Sequence, residues 1–415
     1  MALVKKKVLI IIPYIPYPPY SGGAVRIFNL IKRISMHCEI SLIFPLDKRF
    51  NKKADFLRPF CNNVFIVPRV YGRSPIQKIL LFFNLRELPR LFKRFKMLLK
   101  GVPFSVAEFY QPGVSRKLRE ILSTEEYDIV QFEYISMSIY LRDIIGFMKN
   151  AKSVLVEHDI TSVQQKRRLK YASWPKKILY AIDYFSMLSY EKRILSSFDH
   201  VISMSELDKK KLMSYGLSKK QISVIKNGAD TEEYKDQEIS HAKHHIVFLG
   251  TMAFIPNRDG LLWFLDNVFP IIVNKVKNAT LLVIGEKDPG ITRKYTNDHI
   301  IFRGIVERLE SEMGKGIVFI APIRIGAGTK LKIVTAMAFG MPVVTTTIGI
   351  EGIEASEAKG VIVADTEKSF ADAVINLLKD KKKREQLGKN ARRFAEQEYS
   401  WDVISDELVA LYNSI

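Results

Sequence analysis

The chain has few cysteines, and this excludes one class of protein. Cys38 and Cys61 are the two cysteines among 415 residues, too few for the disulfide framework of a small secreted domain. We therefore expect a reducing, cytoplasmic compartment. Both cysteines are expected to be small buried apolar groups rather than reactive thiols.

Long apolar runs are also missing. No stretch of about 18 uncharged apolar residues occurs, so a membrane-spanning helix is not expected. The start, "MALVKKKVLIIIPYIPYPPY", combines a basic segment with an apolar run, as a signal peptide does. The run "VLIII" is too short, however, and Pro13 ends it without a small-residue cleavage site. We interpret it as a buried first β-strand.

Three familiar signatures are absent. No G-x-G-x-x-G follows the first apolar run, which argues against a dinucleotide-dependent dehydrogenase, and "GAGTK" at 326–330 lacks the spacing of a Walker loop. His241, His244 and His245 have no cysteine or carboxylate pattern beside them. We interpret these histidines as part of a solvated linker rather than as metal ligands.

Acidic residues are scarce in one half of the chain. Residues 1–238 carry 41 Lys and Arg against 23 Asp and Glu, whereas residues 239–415 carry 23 against 21. An excess confined to one half indicates an anionic partner for that half rather than a basic chain in general.

What is present is a regular alternation of short apolar runs and helical patterns. Strands rich in Val, Ile and Leu between helices predict parallel sheets covered on both faces, and two series of them predict an α/β fold with two doubly wound domains. The first series is "KVLIIIPY", "EISLIFP", "NVFIVPR", "YDIVQFEY", "KSVLVEH", "HVISMS" and "QISVIKNG". The second is "HIVFLGT", "ATLLVIGE", "HIIFRG", "GIVFIAP", "PVVTTT" and "GVIVAD".

The polar segment "TEEYKDQEISHAKHH" lies between the two series and is the predicted linker. We place the domains at 1–238 and 239–397. The C-terminal segment 398–415 is predicted to be an amphipathic helix. Its apolar side is formed by Val403, Ile404, Leu408, Leu411 and Tyr412.

Two loops of the first domain are candidate binding sites, because ligands of open α/β sheets bind beyond the carboxyl ends of the strands. Gly22 and Gly23 in "PYSGGAVRIFNL" precede a predicted helix, whose N-terminus favours phosphate; an ordinary glycine turn is the alternative. His158 in "VLVEHDI" ends a predicted strand and is a candidate donor to a phosphate or a sugar hydroxyl. A histidine held by a helix cap near Asp159 is the alternative.

The segment "FIAPIRIGAGTKLKIVTAMAFGMPVV" is the third candidate. Gly326 and Gly328 make the loop permissive, and cations beside it can neutralise a leaving diphosphate. We take Arg324 and Lys330 as those cations. Lys332 lies two residues farther along the predicted helix and is expected to point elsewhere, into solvent.

Taken together, these residues resemble the retaining glycosyltransferases of GT-B fold, in the large family four of bacterial polysaccharide and lipopolysaccharide sugar transferases. "SGGAVRIFNL" is similar to the family's glycine loop, and "VISMSELDKKKL" with "VIKNGADTEEY" is similar to the segments that close its first domain. "IVFLGTMAFIPNRDGLLWFLDNVFP" resembles its G-x-M-x-x-x-P-N version, which contains Gly250 and Asn257. The segment from residue 319 resembles its donor site.

The resemblance implies two Rossmann-like domains facing across a cleft, with the final helix crossing back to the first domain. The nucleotide-sugar would bind the second domain and the acceptor the first. Gly23 would approach the donor phosphates or the transferred sugar, His158 would stand at the sugar end, and Arg324 and Lys330 would lie near the diphosphate. Family members usually need no metal, and no D-x-D-like pair stands in a convincing place here.

The chain departs from the family pattern at two positions. Glutamates are common there, eight residues apart, but this sequence has Ala327 and Thr335. The second glutamate commonly holds the ribose hydroxyls. Thr335 offers one hydroxyl without charge, so nucleotide affinity is expected to fall by about 1–3 kcal/mol.

Two basic, apolar-rich segments predict contact with an anionic membrane surface. They are "RVYGRSPIQKILLFFNLRELPRLFKRFKMLLK" at 69–100 and "QQKRRLKYASWPKK" at 164–177. A helix packed on its own domain with a solvated basic back is the alternative. No nucleic-acid recognition motif is present, so a nucleic-acid partner is not expected.

We expect a glycosyltransferase, of the hexosyltransferase kind, that moves a sugar from a nucleotide-diphosphate sugar to a glycan or lipid-linked acceptor with retention. A non-catalytic protein of the same fold, which binds a glycan or a partner transferase, is the alternative that Ala327 and Thr335 favour. A phosphorylase or epimerase on the same fold is a further alternative.

Overall fold

The structure is a computed structural model that describes residues 5–19, 21–69, 101–170, 174, 176–234, 245–326 and 328–415. The chain divides into two compact units. Unit 1 consists of Met1–Ile225 and Ser405–Ile415, and unit 2 of Lys226–Ile404. Most of the predicted linker and the predicted boundary at 238 lie outside the described residues, and residues 226–234 belong to unit 2. The interpretation of His245 as a linker residue is wrong, because His245 begins a strand of unit 2.

The strands of unit 1 form one parallel sheet in the order β3-β2-β1-β4-β5-β6-β7. Their bounds are β1 Lys6–Ile11, β2 Cys38–Leu46, β3 Asn63–Pro68, β4 Ile129–Glu133, β5 Lys152–Glu157, β6 His200–Ser203 and β7 Ile222–Val224. The α-helices here are α1 Gly22–Ile34, α2 Asn51–Ala54, α3 Phe104–Ala107, α4 Pro112–Thr124, α5 Leu141–Ile144, α6 Thr161–Lys170, α7 Lys176–Leu195 and α8 Glu206–Met213.

Unit 2 contains a second parallel sheet in the order β10-β9-β8-β11-β12-β13. Its strands are β8 His245–Leu249, β9 Thr280–Ile284, β10 Ile300–Gly304, β11 Val318–Ala321, β12 Val343–Thr345 and β13 Val361–Val363. Its α-helices are α9 Ile255–Trp263, α10 Phe269–Lys275, α11 Pro289–Tyr295, α12 Leu309–Met313, α13 Leu331–Ala338, α14 Thr347–Ile350, α15 Glu367–Lys379 and α16 Lys381–Tyr399.

The predicted fold is confirmed. Each of the predicted apolar runs contains a strand of one of the two sheets, because such runs can be buried from both faces once helices cover a parallel sheet. The first run is the central strand β1, in which Leu9 and Ile11 are fully buried. This run is therefore a strand of the core and not part of a signal peptide, in agreement with the interpretation based on Pro13.

The final helix, α17, spans Trp401–Ser414. Residues from Ser405 onward belong to unit 1. Ile404, Leu408 and Tyr412 are buried, so the predicted apolar side is the side that packs. Three- and four-residue spacing places these side chains on one face of a helix.

The strand orders determine where each unit can bind a ligand. In unit 1 the order reverses between β1 and β4, and in unit 2 between β8 and β11. Loops leave a sheet in opposite directions at such a point and open a crevice beyond the carboxyl ends of the strands. The candidate residues are therefore to be sought after β1, β4, β8 and β11.

Two further observations concern the membrane and the cysteines. No helix in the described parts of the chain is long and apolar enough to cross a membrane. Cys38 is buried as expected, whereas Cys61 is only half-buried. Both cysteines are free, and burial raises the pKa of Cys38 to about 11 and that of Cys61 to about 12. Thiols that stay protonated at neutral pH are poor nucleophiles.

Candidate functional site

The site of unit 2 begins at Gly250, directly after β8. Its N–H donates to the carbonyl of Ile284, 2.9 Å away. A Cβ at Gly250 would lie 2.6 Å from Nδ2 of Asn257 and 2.9 Å from Nζ of Lys332. Since real Cβ atoms do not come this close to another heavy atom, the absence of a side chain at residue 250 lets both polar groups reach the end of the strand.

Lys332 and Asn257 form the polar centre of this site. Nζ of Lys332 donates to Oδ1 of Asn257 at 2.6 Å, and Nδ2 of Asn257 donates to the carbonyl of Thr251 at 3.1 Å. The ammonium also lies 5.1 Å from the ring centroid of Phe248. Burial, and secondarily the charge of Lys330, lowers the pKa of Lys332 to about 7.

The expectation that Lys332 points into solvent is wrong. Lys330 is the N-cap residue of α13, so Lys332 is the second residue of the helix. Helical side chains lean toward the N-terminus of their own helix, and that end of α13 lies beside the start of α9, which carries Asn257. The long side chain therefore reaches inward to the strand ends.

The glycine loop before α13 has the predicted permissive backbone. Gly326 has a φ of 138° and Gly328 a φ of 71°, values that residues with a Cβ rarely adopt. Gly326 lies next to Pro256 at the start of α9. Nζ of Lys330 donates to the carbonyl of Gly328, so the ammonium of this lysine binds the backbone of its own loop. Ala327 lies outside the described residues.

Arg324 lies apart from Lys332. Its Nε is 3.8 Å from Oδ2 of Asp259, and its guanidinium lies 5.6 Å from the centroid of the Trp263 ring. Asp259 and Asn257 differ by about 200° around the axis of α9. The structure therefore places Arg324 and Lys332 on separate sides of this helix. Thr335, half-buried on α13, is one turn from Lys332.

The site of unit 1 begins at the N-terminus of α1. Gly22 and Gly23, predicted to precede this helix, are its first two residues. Oγ of Ser21 caps the helix by accepting from the N–H of Ala24 at 3.3 Å. A Cβ at Gly23 would lie 1.6 Å from the hydroxyl oxygen of Tyr134 and 2.9 Å from that of Tyr14. Gly23 therefore allows two tyrosine hydroxyls to meet the start of the helix.

Tyr134 is a site residue that the sequence reasoning missed. It follows β4 and has a φ of 72°, which is uncommon for a residue with a large side chain. Its hydroxyl lies 2.5 Å from that of Tyr14. Its ring stacks on the imidazole of His158, with centroids 3.8 Å apart and an interplanar angle of 14°.

His158 follows β5 and is buried under the ring of Tyr134. Nε2 of His158 lies 2.5 Å from Oε2 of Glu133, whose other oxygen accepts from Nε2 of Gln131 at 2.7 Å. The hydroxyl of Tyr412, on α17, donates to Oε1 of Gln131. Burial lowers the pKa of His158, and Glu133 opposes that shift.

A signal for this network was present in the sequence. Gln131 and Glu133 are two residues apart in the strand "IVQFE", whose other residues are apolar, and alternate residues of a strand share one face. Polar side chains in a buried strand need partners. Arg26 of α1 is buried as well, and burial lowers its pKa to about 10 against the opposing charge of Glu133.

Metal ligands were not predicted. Over the ranges that the structure describes, no group of three or more His, Cys, Asp or Glu side chains is placed to hold a metal ion. A metal-independent reaction stays a prediction.

Two family models match the chain. The model described as "Glycosyltransferase Family 4" matches residues 99–233, which lie in unit 1 as far as Ile225 and end in the first residues of unit 2. The model described as "Glycosyl transferases group 1" matches residues 243–380, within unit 2. Each model covers about a third of the chain.

Similar proteins are found among curated sequences and solved structures. An uncharacterized 44.6 kDa protein in the cps region of Klebsiella pneumoniae is 25% identical, over 95% of this chain and 96% of its own length. CapM of Staphylococcus aureus, a capsular polysaccharide biosynthesis glycosyltransferase, is 27% identical over 56% of this chain and 66% of its own. The crystal structure of HepE from Anabaena in complex with UDP and glucose matches with a TM-score of 0.64 at 16% identity, and covers 99% of this chain and 100% of its own.

Proposed function

We propose that this protein of GT-B fold is a glycosyltransferase that moves a sugar from a nucleotide-diphosphate sugar to a glycan or lipid-linked acceptor, with retention of configuration. Its two parallel-sheet α/β units and the two family matches support a glycosyltransferase. The donor class, the stereochemical course and the acceptor are our proposals.

The observation that carries the proposal is the ammonium of the half-buried Lys332 beside Asn257 and Gly250. It lies where the strand order of unit 2 reverses, the place at which such sheets bind nucleotides. We propose that Lys332 contacts the diphosphate. Because the leaving group of the reaction is a nucleoside diphosphate, a cation held there stabilises the charge that develops when the sugar departs.

The remaining predicted residues keep their proposed roles around this centre. Gly326 and Gly328 let the loop backbone approach the nucleotide, and Lys330 and Arg324 add positive charge at the loop. Thr335 would offer its hydroxyl to the ribose. No side-chain nucleophile is invoked, since a departing phosphate oxygen can accept the proton of the attacking hydroxyl.

In unit 1, we propose that Gly22, Gly23 and His158 contact the transferred sugar or the acceptor. The half-buried rings of Tyr14 and Tyr134 border the same place. Relatives named for capsular polysaccharide biosynthesis support a growing bacterial polysaccharide, or its lipid-linked precursor, as the acceptor class.

Incubation of the full chain with UDP-, GDP- and ADP-sugars tests the function. We expect one donor to be bound and slowly hydrolysed without acceptor, and to be hydrolysed equally fast with a metal chelator present. Binding without turnover in the presence of lipid-linked glycan acceptors would support the non-catalytic alternative. Turnover that requires inorganic phosphate would indicate a phosphorylase, and no binding of any donor would contradict the proposal.

An exposed apolar face on α7 supports a lipid surface as a second partner. Ile178, Ile182 and Phe185 follow helical spacing and are 47%, 48% and 65% exposed, and Trp174 just before the helix is 76% exposed. Between Asp159 and Asp183 the sequence has six Lys and Arg and no acidic residue. Exposed apolar side chains beside a basic segment of the sequence favour anionic lipid, and we propose that α7 lies on such a surface. The basic segment at 70–100 lies outside the described residues.

Replacing Ile182 and Phe185 by serine is therefore expected to weaken binding to phosphatidylglycerol-containing vesicles by roughly fivefold or more, because two apolar side chains no longer enter the lipid. Co-sedimentation at low salt measures the effect. Leu207→Ser is the matched control, since Leu207 is 54% exposed on α8, a different helix. Equal losses from both variants, or no binding by the unmodified protein, would remove α7 as the contact.

A further inference from the structure

We infer that Glu133, Gln131 and Tyr412 are positioning residues that hold His158 in one tautomer, with its Nε2 protonated and its Nδ1 left as an acceptor for a substrate hydroxyl. The inference rests on the proposed function in one respect, namely that His158 contacts a sugar. The tautomer itself is a property of the free protein.

The first step concerns the two ends of the imidazole. Nε2 of His158 lies 2.5 Å from a carboxyl oxygen of Glu133. A carboxylate accepts hydrogen bonds, so Nε2 carries the proton that this contact needs. Burial lowers the pKa of His158, which keeps the ring neutral near neutral pH and leaves one proton to place. With Nε2 protonated, Nδ1 has a lone pair and accepts.

The second step concerns what holds Glu133. Its other carboxyl oxygen accepts from Nε2 of Gln131 at 2.7 Å. Glu133 and Gln131 are both 3% exposed, so water does not substitute freely for either contact. Two donors on two oxygens fix the carboxyl group in one orientation.

The third step concerns the direction of the Gln131 amide. Its oxygen accepts from the hydroxyl of Tyr412, which is fully buried on α17. If the amide flipped, its NH2 group would face the Tyr412 hydroxyl and its oxygen would face the carboxylate. The carboxylate of Glu133, which only accepts, therefore sets the orientation in which Gln131 donates to it. The hydroxyl of Tyr412 strengthens that orientation by donating to the amide oxygen, and the preference passes on to His158.

The groups around His158 are compatible with this assignment. The ring of Tyr134 covers one face of the imidazole. Arg26 bears positive charge nearby, which disfavours a second proton on the ring, whereas Glu133 favours one. The adjacent Glu157 is the last residue of β5 and is buried, and burial raises the pKa of its carboxyl well above the ordinary value. Glu133 is thus the acidic partner that the imidazole contacts directly.

The test is nitrogen NMR of the full-length protein labelled in histidine, without substrate, with the His158 signals identified by their loss in His158→Gln. We expect the unmodified protein to show His158 with Nε2 protonated. Tyr412→Phe removes one hydroxyl and is expected to shift the tautomer ratio toward Nδ1–H by about fivefold, the equivalent of one net hydrogen bond. Glu133→Gln is expected to lower the pKa of His158 further, since it removes the opposing charge.

Tyr190→Phe is the matched control. The Tyr190 hydroxyl is also buried in unit 1 and bonds Oγ of Ser138 at 2.8 Å, but it is not part of the network. The control is expected to lose similar thermal stability without moving the His158 signals. An unchanged tautomer in both Tyr412→Phe and Glu133→Gln, or an equal change in the control, overturns the inference. A shifted tautomer in a protein that binds no nucleotide-sugar would leave it standing and contradict the proposed function instead.

Discussion

Lys332→Met is expected to weaken nucleotide-sugar binding at pH 6.5 by roughly ten- to hundredfold, the value of a charge-assisted hydrogen bond to a buried phosphate. Methionine keeps the length and the apolar stem of the side chain but removes the ammonium. Isothermal titration with the donor selected from the UDP-, GDP- and ADP-sugars measures the loss.

The same residue predicts a pH dependence with a definite sign. In the free protein the pKa of Lys332 is about 7, so the ammonium is mostly charged at pH 6 and mostly neutral at pH 8.5. A bound diphosphate favours the charged form, so affinity is expected to fall as the pH rises through 7. The diphosphate of a nucleotide-sugar has no ionisation of its own in this range, which makes it a better probe than the free nucleotide.

Lys330→Met is the matched control for both effects. Lys330 occupies the N-cap position of α13, and its ammonium donates to the carbonyl of Gly328. Its loss is therefore expected to weaken binding less and to leave the pH slope in place. A larger effect from Lys330→Met than from Lys332→Met would restore Lys330 as the principal diphosphate ligand. A pH slope that survives in Lys332→Met would show that another group causes it.

Gly23→Ala is expected to lower the turnover of the bound donor by roughly tenfold or more and the stability of unit 1 by about 1–3 kcal/mol. The new Cβ would lie 1.6 Å from the Tyr134 hydroxyl, so the tyrosine must move. Its ring stacks on His158, and displacing it disturbs the imidazole. Donor hydrolysis and thermal unfolding measure the two effects.

A double-mutant cycle identifies the cause. Tyr134→Ala removes the side chain that the new Cβ would meet, so Gly23→Ala is expected to cost little further stability in that background. Gly146→Ala is the matched control, because no atom lies within 4 Å of a Cβ placed there. Additive losses from Gly23→Ala and Tyr134→Ala would show that the two positions do not interact.

The sheets could be predicted from the sequence because the signal is local. A buried parallel strand needs a short run of apolar residues, and the run is visible without knowledge of its neighbours. The approximate starts of α1 and α13 could also be predicted, because a pair of glycines marks the beginning of each helical pattern. The prediction of a donor site in the segment from residue 319 came from the resemblance to family four. The two sheets agree with the fold that this resemblance implies.

The orientation of individual side chains could not be predicted. Lys330 and Lys332 differ by two positions, and only the neighbouring helix, which brings Asn257 to Lys332, decides which ammonium turns inward. Likewise, nothing local indicates that Arg324 meets Asp259 and Trp263. Both outcomes depend on the packing of α9 against the loop after β11.

The network around His158 shows the same limit at longer range. Its members come from β4, from the end of β5 and from α17, and the contact between Tyr412 and Gln131 joins residues 281 positions apart. Gln131 and Glu133 stood out as polar residues in an apolar run, but their partners did not. The positive φ of Tyr134 has no sequence signal, since it arises from the turn that the chain makes after β4.

A crystal structure of the full chain with its tightest-binding nucleotide-sugar tests the central claim most directly. We predict diphosphate oxygens within about 3.2 Å of Nζ of Lys332, in the loops that follow β8 and β11. A nucleotide bound with its phosphates away from Lys332 and Asn257 would contradict the account.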